Sequence, residues 1–314
     1  ADKTIPKKTV AAQDLFGDLL KERAETGRIY IMNLDHCNSH SSFKDKISMS
    51  NLCQEITLPT TPIQDIHDDQ GEIALCILSA VNVGGLNDLG ELESICDLAV
   101  RALEQIIDYQ DYPVKAAEVS TKRRRSLGVG YIGLAHYLAK HGVKYSDPKA
   151  WDLVDRLSEA FQYHLLRASC NIAMEKGKCE AFDRTKYADG LLPIDHYKKD
   201  VDKIVPHKQR MAWESLRKDI AKYGLRHSTL SAQMPSESSS VVSNETNGIE
   251  PPRALLSIKK SKKGPLKQIA PGFPKLKNDY TLLWDMPDNT GYINVVAMMQ
   301  KYFDQAISGN WSYN

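Results

Sequence analysis

Segments of helical periodicity alternate with short apolar runs along the whole chain, and no stretch repeats another. This order constrains the fold more than any other feature. Strand–helix alternation over 314 residues with no internal repeat points to an α/β architecture. Residues 11–26 carry apolar positions at helical spacing and stop at Gly27. "RIYIMNL", 28–34, reads as a buried strand, and "SNLCQEITLP", 50–59, as a second extended segment ended by Pro59. An apolar stretch over 72–85 follows, with Cys76 inside it. Helices are predicted over 91–113, 148–177 and 209–224, a strand over 254–261, and a late helix over 292–308. Cys170 lies among apolar neighbours on the second of these helices and reads as a core residue.

Composition narrows the class of function. The chain holds 41 Lys and Arg against 40 Asp and Glu, so bulk charge gives no reason to expect a nucleic-acid or membrane-surface partner. The basic clusters at 122–125 and 259–263 read as solvated loops or helix ends rather than phosphate sites. No apolar run is long enough to span a bilayer, and no signal peptide is expected. Six scattered cysteines argue against a secreted disulfide framework and for a reducing, cytoplasmic setting. The chain starts at Ala1 and stops at "GNWSYN", so it is expected to be a processed product or a piece of something longer.

Four places carry residues with chemical potential. In 50–59, Asn51, Cys53 and Glu55 alternate with other residues, so an extended backbone would set them on one face. The plain alternative is a half-buried strand with Cys53 as a small hydrophobe. "DHCNSH" offers His36, Cys37 and His40 as zinc ligands, but no second pair of suitable spacing appears. Gly128, Gly130 and Gly133 form a GxGxxG string. A dinucleotide fingerprint needs a strand before it, and a basic segment stands there, so a tight turn into a helix is the preferred reading. In "MPSESSS", Pro235 should start a turn into a helix, with Ser236, Ser238, Ser239 and Ser240 around its first turn. Such a turn can hold a diphosphate, although capping is the commoner role of these serines.

The combination says more than its parts. "NLCQE", "ALCILSAVNVGG" and "MPSESSSVVSNETNGIEPPR", in this order and with these separations, closely resemble the catalytic large subunit of class Ia ribonucleoside-diphosphate reductases. "GRIYIMNLDHCNSHSSF" and "LAVRALEQIIDYQDYP" match the same family, so the resemblance runs through essentially the whole chain. It implies the ten-stranded α/β barrel of the reductase and glycyl-radical type, with a loop carrying a radical cysteine into its centre. On that comparison 1–314 is the C-terminal portion of one barrel domain, and the Asn51–Glu55 stretch is a loop tip. The resemblance makes Cys53 the thiyl radical that takes the 3′ hydrogen of the ribose. Glu55 becomes the base on the 3′ hydroxyl, and Asn51 the holder of that hydroxyl. Cys76 matches one member of the redox pair. Ser236, Glu237, Ser238 and Ser239 match the cradle of the substrate diphosphate.

The resemblance also implies partners. No cofactor is expected on this chain itself. The radical would come from a diiron-tyrosyl small subunit, the reducing electrons from thioredoxin or glutaredoxin, and ATP or dNTP effectors would bind in an upstream region. The upstream redox cysteine, the tyrosine pair that relays the radical and the cysteine-bearing tail of the family are not found in these residues. The chain is therefore expected to work only with complementary large-subunit polypeptides. A catalytically incomplete remnant that binds reductase subunits is the alternative. The glycyl-radical type is set aside, because "QAISGNWSYN" offers only Gly309, in an unsuitable context.

Overall fold

The computed structural model describes residues 4–261 and 264–312. Two compact units divide it, Ala1–Asn33 and Leu34–Asn314. The first holds helix α1 (Ala12–Thr26), closed by Gly27 in the left-handed region at φ 64°, with the Gly27 N–H donating to Arg23 O at 2.8 Å. A residue without Cβ takes that conformation at no steric cost. The strand expected over 28–34 does not form. Residues 28–33 have no regular structure and Leu34 already opens the next helix. Apolar, β-branched text becomes a strand only where a ladder partner exists, and none pairs with this run among the described residues.

In the second unit the elements run α2 (Leu34–His40), β1 (Ile77–Asn82), α3 (Leu92–Tyr109), α4 (Lys115–Arg124), β2 (Leu127–Ile132), α5 (Leu134–Lys140), α6 (Pro148–Lys176), α7 (Pro193–His196), α8 (Trp213–Tyr223), α9 (Glu237–Val242), the hairpin β3 (Leu256–Ser261) and β4 (Gly264–Ile269), and α10 (Thr290–Gln300). The expected α/β class holds. β1 and β2 run parallel in the register Ile77↔Leu127, and β2 is buried at every position. Two irregular rows extend this sheet. Residues around Ser231 lie parallel to Val129, and Gln233 pairs in parallel with Ile307. α3 presents Leu92, Cys96, Val100, Leu103 and Ile107 on one stripe, and packs it on α6 and β1. α6 opens with the Asp147 carboxylate accepting from Lys149 N at 2.9 Å, carries Pro148 in its first turn, and ends at Gly177. Cys170 is fully buried on it, as expected of a core residue.

Several expected boundaries move. The helix over 91–113 stops at Tyr109, that over 209–224 begins at Trp213, and the strand over 254–261 forms one arm of a hairpin. The late helix ends at Gln300, not Ser308. Residues 301–308 leave the helix because Asp304 and Gln305 are drawn into the interior to satisfy the buried row 227–234, an override of local propensity by tertiary bonds. The basic run 122–125 is a helix end, but not a solvated one. Arg124 donates to Glu72 and Asp45, and Arg125 to Glu104 and Asp108, with both guanidinium groups buried. In the second basic run, Lys262, Lys263 and the side chains of Lys259 and Lys260 lie outside the described residues.

Candidate active site

The stretch that carries Asn51, Cys53 and Glu55 is a turn, not a strand. Gln54 N donates to Asn51 O at 3.1 Å, and Gln54 sits in the left-handed region at φ 65°. The Asn51 side chain closes the loop by accepting from Ile56 N at 3.1 Å, while Ser50 Oγ donates to Ile56 O at 2.9 Å. Asparagine's side chain competes with a ladder by bonding to nearby backbone, which is why polar–apolar alternation here does not end as a strand. The three side chains therefore do not share a strand face. Asn51 is exposed, Cys53 is half-buried and Glu55 is buried at 3%.

Glu55 is the unusual group. Its backbone carbonyl accepts from Ala306 N at 3.1 Å, yet Oε2 is buried with no hydrogen-bond partner among the described residues. A carboxylate oxygen kept from water without a donor is costly, and such groups concentrate where a ligand supplies the missing bond. Burial raises the Cys53 thiol above its ordinary range, and the neighbouring Glu55 charge raises it further. Both effects favour the S–H form of Cys53 over the thiolate.

Cys76 stands at the foot of β1. Burial pushes its thiol up to about 12, opposed by the Gln305 amide and reinforced by the charges of Asp304 and Glu55. The turn and the β1 entrance are tied together by Gln305. Gln305 Nε2 reaches Cys76 Sγ at 3.6 Å and Leu127 O at 2.9 Å, and Gln305 Oε1 accepts from Thr57 N at 3.3 Å. Asp304 anchors this segment. Its fully buried carboxylate accepts from Leu230 N (2.9 Å), Ser231 N (2.7 Å), Ser231 Oγ (3.0 Å) and Tyr187 OH (2.7 Å). Sequence reasoning missed Asp304 and Gln305 by reading them as the tail of a helix. The available signal was the polar pair itself, set directly behind "YF" where an apolar stripe should continue.

The glycine string is a packing device. Gly128 and Gly130 lie within β2 and only Gly133 makes a turn, at φ 83°, into α5. A Cβ on Gly128 would stand 2.8 Å from Cys76 Sγ, and one on Gly130 would stand 2.6 Å from Ala232 O. The serine segment forms α9, but Ser236, at its N-cap, does not cap it. The Ser236 hydroxyl donates to Met234 O at 3.2 Å instead. Ser236 is buried, whereas Glu237, Ser238 and Ser239 are exposed on the first turn. This row is tied to the Asn51–Glu55 turn through residues 306–308. Gln233 N donates to Ala306 O and Ser308 N to Gln233 O, and Ala306 N bonds Glu55 O. His36, Cys37 and His40 fall on α2, where His40 Nε2 bonds Phe303 O at 2.7 Å. Among the described residues no group of three or more metal-ligating side chains converges, so the zinc arrangement is not formed. A cavity of about 570 Å³ opens between α2 and Gln305, lined by His40, His196 and Tyr197, but none of Asn51, Cys53, Glu55 or Cys76 lines it.

The model of the ribonucleotide reductase barrel domain matches residues 1–314. The chain belongs to that family. It is 57% identical to the ribonucleoside-diphosphate reductase subunit alpha of Haemophilus influenzae and 57% identical to that of Buchnera aphidicola subsp. Baizongia pistaciae. It is 54% identical to the ribonucleoside-diphosphate reductase 1 subunit alpha of Escherichia coli. Each match covers 100% of this chain and 42% of the relative, so the chain spans less than half the length of these proteins.

Within this ribonucleotide reductase barrel chain, Gln305 joins the turn that carries Cys53 and Glu55 to Cys76, and Asn51 braces that turn. No helix among the described residues is long and apolar enough to cross a membrane.

Proposed function

We propose that this chain supplies the radical and reducing residues of a ribonucleoside-diphosphate reductase alpha subunit, which converts ribonucleoside diphosphates to 2′-deoxyribonucleoside diphosphates. The observation that carries this reading is the buried, unpartnered Glu55 Oε2 beside a half-buried, protonated Cys53, with Cys76 joined to the same loop through Gln305. Supporting it are the family membership and the names of the relatives.

Cys53, once converted to a thiyl radical, takes the 3′ hydrogen of the ribose and becomes a thiol. Glu55 accepts the 3′-hydroxyl proton as the 2′ hydroxyl leaves as water. Two electrons and two protons then come from a dithiol, Cys76 and a partner cysteine, which closes to a disulfide. The 3′ hydrogen returns from Cys53, regenerating the radical. The atoms balance as one ribonucleotide and one dithiol giving one deoxyribonucleotide, one water and one disulfide. A Glu55 oxygen without a protein partner is suited to receiving the sugar's proton. Asn51 holds the turn in shape and, exposed on it, binds the hydroxyl. Glu237, Ser238 and Ser239, exposed on the first turn of α9, with Ser236 behind them, cradle the diphosphate.

The same reading makes residues 1–314 the C-terminal portion of a ten-stranded α/β barrel domain, in the cytoplasm. A diiron-tyrosyl small subunit supplies the radical, thioredoxin or glutaredoxin reduces the disulfide, and the upstream cysteine and radical-relay tyrosines come from complementary large-subunit sequence. Native mass spectrometry of the chain from its own source, with every co-purifying polypeptide sequenced, followed by diphosphate reduction with that assembly, tests the proposal. Deoxynucleotide formation that disappears in Cys53→Ala and in Glu55→Gln is the expected result. Undiminished turnover in either variant overturns it.

A further inference from the structure

We propose that Gln305 is a positioning residue for the Cys76 sulfur, and that its single side-chain amide sets the redox thiol and the reaction loop in one rigid arrangement. This rests on the reading of Cys76 as a redox cysteine, and deepens it.

The amide is fully used. Its two N–H bonds point to Leu127 O at 2.9 Å and Cys76 Sγ at 3.6 Å, and its oxygen accepts from Thr57 N at 3.3 Å. The partners dictate its orientation, because only nitrogen can donate to the Leu127 carbonyl and only oxygen can accept from Thr57 N–H. The residue is buried at 2%, so these bonds do not compete with bulk water. Its backbone adds two ties: Gln305 N donates to Ser231 O, and the next residue, Ala306, donates to Glu55 O, both at 3.1 Å. From one rigid unit, then, bonds run to the Cys76 sulfur, to β2, and to the loop at Glu55 and Thr57. On the other side of the sulfur stands Gly128, where an added Cβ would come within 2.8 Å. The sulfur is thereby held between a bare stretch of β2 and a donor that engages one of its lone pairs. An N–H directed at sulfur favours the thiolate over the thiol, and works against the burial that keeps Cys76 protonated. A sulfur that alternates between thiol and disulfide needs this compromise, being inert when idle and able to ionise in exchange.

The test uses the full chain in three forms: the parent, Gln305→Met, which keeps the volume and loses both donors, and Gln305→Glu, which keeps the acceptor for Thr57 N–H. Iodoacetamide labelling of Cys76 is followed peptide by peptide across neutral to alkaline pH, with folding checked by circular dichroism. Both variants are expected to shift the Cys76 pH profile upward and to slow labelling at fixed pH by about threefold to tenfold. An unchanged profile overturns the proposal. So does faster labelling, which is what loosened packing alone would produce. If neither variant folds, the Gln305 side-chain amide signal is followed by NMR in the parent and in Cys76→Ala. Movement of that signal supports the contact, and no movement overturns it. The redox reading fails separately, if Cys76→Ser still turns over in the assembled reductase. A shifted labelling profile would then leave the sulfur's positioning intact.

Discussion

Replacing Gly130 by alanine tests whether the glycine string serves packing. The new methyl would lie 2.6 Å from Ala232 O, 3.0 Å from Gln233 Oε1 and 3.1 Å from Met234 Sδ. The first of these is backbone and cannot rotate away, so β2 and the row 229–234 must separate. Overpacking in a buried site costs about 1–3 kcal/mol. Separation also weakens two bonds between the rows, Val129 N to Leu230 O at 2.8 Å and Ala232 N to Val129 O at 3.2 Å, each worth about 1 kcal/mol. The expected loss is therefore about 3–5 kcal/mol, a large part of a domain's stability. Urea unfolding followed by circular dichroism reads it, with Gly142→Ala as the reference. Gly142, unlike Gly130, sits at positive φ, 65°, but a Cβ added there would meet nothing within 4 Å, so only backbone strain of about 1 kcal/mol applies. If Gly130→Ala lies within about 1 kcal/mol of the Gly142 variant, the close approach of the two rows is not what the glycine provides.

Glu104 makes a second prediction. Burial alone would raise its carboxyl, but hydrogen bonds from His227, Arg125 and Arg226 bring it down from an ordinary 4.5 to about 2. A depressed carboxyl contributes stability that is present above its unfolded pKa and lost as pH falls through the folded one, so the parent should lose about 3 kcal/mol between about pH 4.5 and 2. Glu104→Gln should lack that slope, and equal acid sensitivity in urea titrations would refute the assignment. Asp304→Asn turns an –NH₂ toward the backbone N–H of Leu230 or Ser231, with an expected loss of about 2–4 kcal/mol in thermal or urea unfolding. Glu55→Gln removes the charge that raises the Cys53 thiol, so Cys53 alkylation at fixed alkaline pH should become faster; an unchanged rate would separate the two side chains.

The sequence carried the chemistry of the site further than its shape. Short motifs around Asn51, Cys53, Glu55 and Cys76 were legible as family text, and the match of the barrel-domain family to 1–314 agrees with the family they indicated. Helices such as α3 and α6 were legible for a different reason: an amphipathic stripe and a proline–glycine frame are local properties. Non-local partners decided the rest. Residues 28–33 have strand-like composition but meet no ladder among the described residues, and 50–57 closes on Asn51 because its side chain bonds the local backbone. GxGxxG reads as a tight turn into a helix, which only Gly133 makes, while Gly128 and Gly130 lie in β2 against Cys76 and Ala232, where no side chain fits. Asp304 and Gln305 continue a helical string in one dimension, yet leave it in three because buried N–H groups of Leu230, Ser231 and Thr57 require acceptors. Sequence alone determined which reactive groups the chain owns and which segments can coil. Tertiary structure decided which of them meet, since hydrogen-bond satisfaction in a buried layer is settled between residues far apart in the chain.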